Sequence, residues 1–498
     1  MGIIIRQSLK ASAGSYIGVG IGIVNQLFIS TKYLEPEQLA ISRLLLENSL
    51  VFAAFAHLGT PFISDRFFGY FKDETAKNGG FLLFLLLYPL VGITIFSGFY
   101  FLFEKEIIAY FAPKSPELLP YHALVVPLTI FWIYILVLEA YCRNNARIAI
   151  PTFIREVYLK LANVGVIILF ALGWISFDWM LYGMVASYAL SVVILLVYIV
   201  HLRKFSLHFN FARLRGGLFR QMALFGLFIV IGAVGINVVL LIDRTMISHG
   251  EGLAEAAIFI IATYIASVIE IPRKAITQIS IPLLANSLRE NNRQHVEELY
   301  QKSSLNQLLV GGLAFLLIWA NIDQIFSLLP KQDIYRQGKL VVLFIASSKL
   351  IDMAMGLNGE IITYSRYFRY ATYLVISMAV LAVISNSYLI PIYGYNGAAY
   401  ATALTTLVYA LSKAVLVWMF FRVQPFTTST LKALAALAVV YTLALVLPVW
   451  GVSLIEVVSS LAVRSAVMAG IFAGLVLLWR VSPDINKVVS AVWSRVRR

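Results

Sequence analysis

A long apolar stretch, residues 254–284, carries ionisable side chains in its interior. Glu270, Arg273 and Lys274 are among them. An ionisable side chain inside a bilayer costs about 3 kcal/mol on insertion scales, so it faces a protein interior or a water-filled path and indicates a functional site. The polar residues at helical spacing on the same face are Thr263, Ser267 and Thr277. This spacing predicts a membrane helix with one polar face, and Pro272 predicts a kink beside its charges.

Two kinds of chemistry suit this face. Arg273 and Lys274 offer positive charge to an anion, and the planar fork of an arginine fits a phosphate group. Glu270 lies one turn away and can take up a proton or a small cation when an anion occupies its basic partners. The alternatives are that Arg273 and Lys274 extend to the lipid headgroups and that Glu270 is only a static partner of these cations.

Four other apolar stretches carry embedded polar or charged side chains. These are Asn25 and Gln26; Arg43 and Glu47; Asn237 and Asp243; and Lys349, Asp352 and Glu360. Arg43 and Glu47 are four residues apart, so a self-contained ion pair and a role in substrate binding both stay open. Gly356 and Gly359 allow a break or a close helix approach in the last stretch. The embedded cations favour an anionic substrate, and the embedded acids favour coupling to a cation.

The sequence lacks the motifs of several common enzyme classes. It has no G-x-x-x-x-G-K-[ST] phosphate loop, no H-E-x-x-H zinc motif and no G-x-S-x-G nucleophile elbow. The single cysteine, Cys142, excludes an intrachain disulfide and a multi-cysteine metal site, and the six histidines show no metal-ligand spacing. We therefore expect no cofactor and no metal, while coupling to H+ or Na+ stays open.

The elements that position these side chains are membrane helices. The 498 residues are 60% hydrophobic and 13% charged, whereas charged residues make up about 25% of a soluble protein. Windows of about 20 apolar residues predict an all-α polytopic membrane protein with about 14 transmembrane helices. The predicted spans are residues 11–33, 39–61, 79–103, 118–142, 151–173, 178–201, 221–248, 254–284, 303–322, 339–363, 370–391, 396–421, 432–450 and 455–480.

The distribution of lysine and arginine predicts the orientation of the chain. Of the 39 such residues, 24 fall in the segments on the side of the N-terminus, six fall on the other side and nine lie inside spans. Cytoplasmic loops carry the excess of these residues, so both termini are predicted to be cytoplasmic. The net charge of +14 is spread over short loops and forms no patch, which argues against nucleic acid as a partner.

A weak internal repeat divides the chain. At an offset of 214 residues, Ile17-Gly18 matches Ile231-Gly232 and Gly183 matches Gly397. A six-span unit repeated in the same orientation predicts two six-helix lobes in a parallel pseudo-twofold repeat. The predicted parts are an N-lobe of spans 1–6 at residues 1–201, a cytoplasmic amphipathic linker at 202–220, a C-lobe of spans 7–12 at 221–421, and spans 13 and 14 with a basic cytoplasmic tail at 422–498.

Several stretches along nearly the whole chain share the pattern of one family. They are RQSLKASAGSYIGVGIGIVNQLF, FGYFKDETAKNGGF, IDRTMIS followed by VIEIPRKAITQISIP, SLNQLLVGGLAFLLIWANIDQIF, KLIDMAMGLNGEII and PIYGYNGAAYATAL. Together they resemble bacterial oligosaccharide flippases of the O-antigen type, which are polysaccharide biosynthesis proteins of the multidrug, oligosaccharidyl-lipid and polysaccharide exporter superfamily. The resemblance implies two lobes around a central cavity, lined chiefly by the first two helices of each lobe. The residues that it implies to lie near this cavity are Asn25, Gln26, Arg43, Glu47, Asn237, Asp243, Glu270 and Arg273.

The combined prediction is a transporter and not an enzyme. It is a flippase of the bacterial cytoplasmic (inner) membrane that moves a polyprenyl-pyrophosphate-linked oligosaccharide by alternating access, for a surface polysaccharide such as the O-antigen of lipopolysaccharide. The predicted substrate-binding residues are Arg43, Glu47, Asn25, Gln26, Asn237, Arg273, Lys274 and Lys349. The predicted ion-coupling residues are Glu270, Asp243, Asp352 and Glu360. The expected partners are the lipid-linked oligosaccharide, membrane lipids, and a polysaccharide polymerase or glycosyltransferases.

Two alternatives stay open. A drug or cation antiporter of the same fold should favour acidic over basic groups in its cavity. A membrane polysaccharide polymerase or glycosyltransferase should carry a long outer loop, and the predicted outer loops are all short.

Reporter fusions test the predicted orientation. A fusion after Arg215 should report the cytoplasm and a fusion after Gln332 the opposite side, because three predicted spans separate the two sites. We expect opposite signals from a reporter that is active on only one side of the membrane. Equal signals from the two fusions would contradict the predicted order of spans.

Overall fold

In a computed structural model of the chain, residues 2–72, 77–206, 217–451, 453–482 and 486 are described. All regular secondary structure in these ranges is helical, which confirms the prediction of an all-α membrane protein. Among the described residues, eleven helices are long and apolar enough to cross a membrane, and one bent pair of helices makes a twelfth span if it is counted as one. The two other predicted spans, at 151–173 and 221–248, also fall on helical segments.

The chain divides by its contacts into two compact units, residues 1–257 (unit 1) and 258–498 (unit 2). The predicted N-lobe, linker and C-lobe stay a prediction, because this division groups residues by packing and does not test the repeat. Residues 207–216 of the predicted linker and 487–498 of the predicted tail lie outside the described residues.

Unit 1 contains eleven α-helices and the start of a twelfth within its described residues. They are α1 (Gly2–Val24), α2 (Ser30–Tyr33), α3 (Pro36–Ala56), α4 (Thr60–Phe71), α5 (Phe81–Leu102), α6 (Glu104–Phe111), α7 (Val125–Asn144), α8 (Ala149–Phe153), α9 (Leu159–Ala171), α10 (Phe177–His201), α11 (Leu218–Gly250) and α12 (Leu253–Ser267). Two π-helical segments, Asn25–Ile29 and Ile154–Tyr158, connect α1 to α2 and α8 to α9.

Unit 2 continues from α12 through ten further α-helices in the described chain. They are α13 (Ile271–Arg289), α14 (Arg293–Trp319), α15 (Ile322–Ser327), α16 (Gln332–Tyr335), α17 (Lys339–Ala354), α18 (Asn358–Tyr364), α19 (Phe368–Tyr393), α20 (Tyr395–Phe421), α21 (Thr428–Val446) and α22 (Leu454–Leu478). A 3-10 turn, Val268–Glu270, separates α12 from α13.

Two breaks in the helices of unit 2 occur where the sequence predicts them. The α-helix gives way to the 3-10 turn directly before Pro272, which lies in the first turn of α13. The segment Gln332–Ala354 and α18 are bent by 54° at the residues around Gly356, whose φ of 59° is a left-handed value that favours glycine. Both breaks place charged side chains at helix ends, where the backbone changes direction.

Helices α21 and α22 pack on α14 through an apolar cluster. Gly312 of α14 permits a close approach, because a Cβ at this position would lie 2.5 Å from a methyl carbon of Leu437 on α21. The cluster also includes Leu305, Leu308, Leu309, Leu316, Ala433, Ala436, Val440, Met468, Phe472 and Val476. The helices of predicted spans 13 and 14 are therefore joined to α14 within unit 2 by a buried apolar contact.

Gly92 of α5 provides a test of the helix packing in unit 1. A Cβ at Gly92 would lie 2.1 Å from the Ala56 carbonyl oxygen, whereas a Cβ at Gly98 of the same helix would meet no heavy atom within 4 Å. We expect Gly92→Ala to lower the free energy of unfolding by about 1–3 kcal/mol, because backbone must move to admit the methyl group. Gly98→Ala is the matched control and should leave stability unchanged or raise it. Thermal unfolding of the purified proteins in detergent measures both, and equal midpoints would contradict the close contact.

Candidate functional site

The embedded charges of unit 2 come together in one group, which we call the charge network. Its members are Glu270, Arg273, Lys349, Asp352 and Lys413. Glu270 ends the 3-10 turn, Arg273 lies in the first turn of α13, Lys349 and Asp352 lie one turn apart on α17, and Lys413 lies on α20. Segments that are distant in the sequence therefore contribute to one site.

Each carboxylate of the charge network contacts two cations. One oxygen of Asp352 accepts a hydrogen bond from Arg273 Nη1, and the other accepts one from Lys413 Nζ at 2.9 Å. Glu270 Oε2 accepts from Lys349 Nζ at 2.6 Å, and Glu270 Oε1 lies 3.8 Å from Arg273 Nη1. Arg273 thus links the two carboxylates.

The charge network is buried at one end and partly exposed at the other. The side chain of Lys413 is 5% exposed, and that of Glu270 is 33% exposed. A buried ammonium group is stable only when it is paired and hydrogen-bonded. Asp352 supplies that pairing, and Lys413 Nζ also lies 4.3 Å from the centre of the Tyr409 ring. An incoming charged group would therefore meet Glu270 and Lys349 before it met Lys413.

Two predicted site residues of unit 2 do not join the hydrogen bonds of the charge network. Glu360 lies on α18, close enough to act electrostatically on Arg273. Its Oε2 atom is buried without a hydrogen-bond partner in the described chain. Lys274 is exposed, and no ion pair to it occurs among the described residues. With Glu360 included, three carboxylates balance the three cations of the charge network.

In unit 1, the Glu47 carboxylate on α3 pairs with Arg244 of α11 and not with Arg43. The alternative of a self-contained pair between Arg43 and Glu47 is therefore wrong. The packing of α11 on α3 brings Arg244 to Glu47, and a base that precedes an acid by four residues is the weaker arrangement on one helix. Beside the ion pair, Thr245 Oγ1 donates a hydrogen bond to Asn48 Oδ1 at 3.0 Å, so two adjacent polar contacts join α3 to α11.

The other predicted residues of unit 1 lie on two helical segments. Asn25 and Gln26 begin the first π-helical segment, and both are buried. Neither polar atom of the Gln26 amide has a hydrogen-bond partner in the part of the chain that the structure describes. On α11, Asp243 is buried and Asn237 is half-buried. Short π-helical segments occur often at functional sites, and a buried amide of this kind is available to a polar ligand.

Sequence reasoning missed a second chain of ion pairs, within unit 1. Arg155 Nη1 donates to Glu139 at 2.8 Å, and its Nε donates to Glu156 at 3.2 Å. Lys160 Nζ donates to Glu156 at 3.2 Å and to the Gly18 carbonyl oxygen of α1 at 2.9 Å. The four-residue spacing of Glu156 and Lys160 was a usable signal. No such signal marked the pair of Glu139 and Arg155, because sixteen residues separate them.

Arg464 of α22 is a buried cation with no carboxylate partner among the described residues. It donates to Asn321 Oδ1 at 2.9 Å. Its other acceptors are the backbone carbonyl oxygens of Ala320, Ala444, Leu447 and Pro448. These carbonyls lie at or just beyond the carboxyl ends of α14 and α21, so the role of Arg464 is structural.

Outside the spans, Asp323 of α15 forms ion pairs with Arg336 and Lys339. The sequence predicts that both cations lie on the outer side of the membrane. Arg336 Nη2 lies 3.1 Å and Lys339 Nζ lies 2.8 Å from the Asp323 carboxylate oxygens. Burial alone would raise the pKa of Asp323, but the hydrogen bonds and charges of Lys339 and Arg336 outweigh burial and lower it. Asp323 is therefore ionised at neutral pH and offsets the positive charge at this junction.

Comparison with known proteins identifies the fold. The chain matches no protein-family model, and no curated protein matches it. The solved structure of the lipid II flippase MurJ, in an inward closed conformation, matches with a TM-score of 0.68 and 12% identity, over 93% of this chain and 98% of that chain. An inward-facing multidrug resistance MATE family transporter of the MOP superfamily matches with a TM-score of 0.62 and 15% identity, over 84% and 98%.

A third similar structure is that of a MOP superfamily transporter from Pyrococcus furiosus, for which a reversed polarity of the binding pocket suggests a different function. It matches with a TM-score of 0.56 and 15% identity, over 84% of this chain and 95% of that chain. The chain is therefore a multi-pass membrane protein with the fold of MOP superfamily transporters.

Asp352 offers a test of the charge network. Asp352→Asn leaves Lys413 and Arg273 without their shared carboxylate, so we expect the free energy of unfolding to fall by about 3–5 kcal/mol. Adding Lys413→Met should recover part of the loss, because the buried cation is then removed as well. Asp323→Asn is the control, and the loss of this exposed pair should cost at most about 1 kcal/mol. Thermal unfolding in detergent measures all of them, and equal losses for Asp352→Asn and Asp323→Asn would contradict a tightly coupled network.

Proposed function

We propose that this protein is a flippase that moves a polyprenyl-pyrophosphate-linked oligosaccharide across the cytoplasmic membrane of a bacterium by alternating access. The observation that carries the proposal is the charge network, which holds three cations together inside helices of a MOP-type transporter fold. Arginine and lysine side chains in a water-poor site suit the pyrophosphate group of such a substrate.

The pairing of these cations gives the proposal a mechanism. Arg273 and Lys349 already contact carboxylates, so a pyrophosphate must compete with Glu270 and Asp352 for them. Glu270 is the more exposed carboxylate and is the one that a headgroup would displace first. A displaced carboxylate loses its cationic partner, and it then favours a proton or a small cation such as Na+. Substrate binding and ion binding would thus be linked.

Two comparisons bear on the choice between a lipid substrate and a drug substrate. The lipid II flippase is matched over a larger share of this chain than the MATE transporter, 93% against 84%. The reversed pocket polarity of the transporter from Pyrococcus furiosus indicates that polarity distinguishes functions within this fold. A drug or cation antiporter remains the second candidate, because equal numbers of acids and bases in the charge network, with Glu360 included, also suit a cation that exchanges with H+ or Na+.

The remaining predicted site residues complete the proposal. The further residues that we propose to contact the substrate are Arg43, Glu47, Asn25, Gln26, Asn237 and Lys274. Asp243, Asp352 and Glu360 are the further ion-coupling residues to test. The product would serve a polysaccharide polymerase or glycosyltransferase that acts on lipid-linked sugar.

Arg273 provides the direct test of substrate recognition. In vesicles that contain the purified protein, the initial rate at which a lipid-linked oligosaccharide becomes accessible to a lectin on the opposite side measures flipping. Arg273→Ala removes charge-assisted hydrogen bonds worth about 1.5–3 kcal/mol, so we expect a roughly tenfold to hundredfold lower rate. Arg273→Lys should also be slow, because an ammonium group cannot make the bidentate contact.

The matched control is Arg336→Gln, which removes an equal charge from an exposed ion pair. Protein level and thermal midpoint are measured for each variant, so that loss of folding is separated from loss of transport. A wild-type flipping rate for Arg273→Ala would overturn the headgroup role. Transport of a cationic dye in the same vesicles, without flipping of the oligosaccharide, would establish the antiporter instead.

Glu270 provides the test of coupling. Flipping by the wild type should respond to an imposed pH or sodium gradient, and Glu270→Gln should remove that response, because an amide takes up neither a proton nor a cation. The rate without a gradient is measured as the reference for both proteins. An equal response from both would show that Glu270 is a static partner of the cations, and the coupling residue would then be sought at Asp243, Asp352 or Glu360.

A further inference from the structure

Unit 2 contains a recess lined by arginine and aromatic side chains, separate from the charge network, which we call the arginine recess. Its volume is about 520 Å³, and its lining includes Arg289, Arg293, Arg366, Arg422, Tyr367 and Phe420. These residues come from the junctions between α13 and α14, between α18 and α19, and after α20. The distribution of lysine and arginine predicts that all three junctions are cytoplasmic.

The positive charge of the arginine recess is not compensated. No aspartate or glutamate lines it. All four arginines are exposed, and none forms an ion pair with a carboxylate in the described part of the chain. By contrast, Arg336 and Lys339 at another junction of unit 2 are both paired with Asp323. Four guanidinium groups around one recess form a site that favours an anion, and their planar forks fit phosphate oxygens.

Neutral contacts hold three of these arginines in place. Arg293 Nη2 donates to the Arg422 carbonyl oxygen at 2.6 Å, and Arg366 Nη2 donates to the Tyr367 hydroxyl at 2.8 Å. The guanidinium of Arg422 lies 4.8 Å from the centre of the Trp418 ring. These partners orient the side chains without neutralising their charge, so the recess is organised before any anion arrives.

An apolar groove between α19 and α20 lies beside the arginine recess. Its volume is about 480 Å³, and its lining includes Tyr370, Tyr373, Leu374, Val408, Leu411 and Val415. The two spaces adjoin at the Tyr370 ring, whose centre lies 5.1 Å from that of Phe420 and 6.4 Å from that of Tyr367. From Tyr370 the groove follows α19 to Ser377, which is about 10 Å at 1.5 Å per residue.

The groove lies on an exposed face of two membrane helices. Tyr373, Leu411 and Val415 are large hydrophobic side chains with about half of their surface exposed. On a helix that crosses a bilayer, exposed apolar side chains of this kind suit contact with lipid chains. A charged recess at the helix ends and an apolar groove along the same helices fit a ligand with an anionic head and an apolar tail.

We propose that the arginine recess and its groove bind an anionic phospholipid of the surrounding bilayer. The phosphodiester lies among the four arginines, and an acyl chain lies in the groove between α19 and α20. The exposed position of the groove favours a bilayer lipid over a soluble phosphate ester, which would need the recess alone. The bound lipid ties the junctions of α13 and α14, α18 and α19, and the end of α20 to the membrane surface.

Native mass spectrometry of the full-length protein in detergent tests this proposal. The probes are phosphatidylglycerol, phosphatidylcholine, glycerol phosphate and a polyprenyl diphosphate. We expect the wild type to retain phosphatidylglycerol with a roughly tenfold preference over phosphatidylcholine, because only the former carries a net charge to pair with the arginines. Arg289→Gln combined with Arg366→Gln should remove that preference. Arg369→Gln combined with Arg336→Gln is the matched control, since both residues are exposed and neither lines the recess.

A second pair of variants tests the groove. Leu411→Trp fills the groove and should weaken the retention of phosphatidylglycerol while leaving that of glycerol phosphate unchanged. Leu404→Trp is its control, because Leu404 is an exposed residue of the same helix outside the groove.

Equal retention of phosphatidylglycerol by the arginine variant and its control would overturn the proposal. If glycerol phosphate binds as tightly as phosphatidylglycerol, the recess is a simple anion site. If a lower concentration of polyprenyl diphosphate displaces phosphatidylglycerol, the recess is a substrate site. Either result overturns the lipid assignment.

Discussion

A carboxylate shared between a buried lysine and a half-buried arginine holds the charged core of unit 2 together. Asp352 joins Arg273 of α13 to Lys413 of α20 while lying on α17 itself, so one side chain fixes three helices. Each of these charges would be costly in this environment without its partners. The cost of breaking the arrangement makes it a stable element of the fold. The pair of Glu270 and Lys349 is partly exposed, so an incoming ion can replace either partner.

Positive charge is held differently by the ion pairs inside the helices and by the arginine recess. Inside the helices, Arg244, Arg273 and Lys413 are each paired with an acid. At the junctions that form the arginine recess, the arginines are held by carbonyl, hydroxyl and ring partners and keep their full charge. Paired cations admit an anion only by exchange, whereas unpaired cations attract one directly. The first arrangement suits a transported group that must leave again, and the second suits a ligand that stays.

The sequence predicted the helical spans well because each depends on a local property, a run of about 20 apolar residues. It also predicted the breaks at Pro272 and Gly356, since proline and glycine act on the backbone where they stand. Four of the embedded charges, Glu270, Arg273, Lys349 and Asp352, were recognised as one class by their burial cost alone. Apart from the local contact of Glu270 with Arg273, the partners of the embedded charges could not be predicted. Glu47 has a cation four residues away but pairs with one 197 residues away, and Lys413 is a lone lysine in an apolar helix until the fold brings it to Asp352.

The hydrogen bonds of Arg464 tie α22 to the carboxyl ends of α14 and α21. Its guanidinium sits where the negative ends of two helix dipoles, those of α14 and α21, converge on one point. Helix α22 therefore supplies the counter-charge for the end of α14. A shorter chain that ended after α20 would leave the Ala320 carbonyl and the Asn321 amide without this donor. Loss or gain of the terminal helix pair within this fold would thus require a matching change at the end of α14, and the two features should vary together.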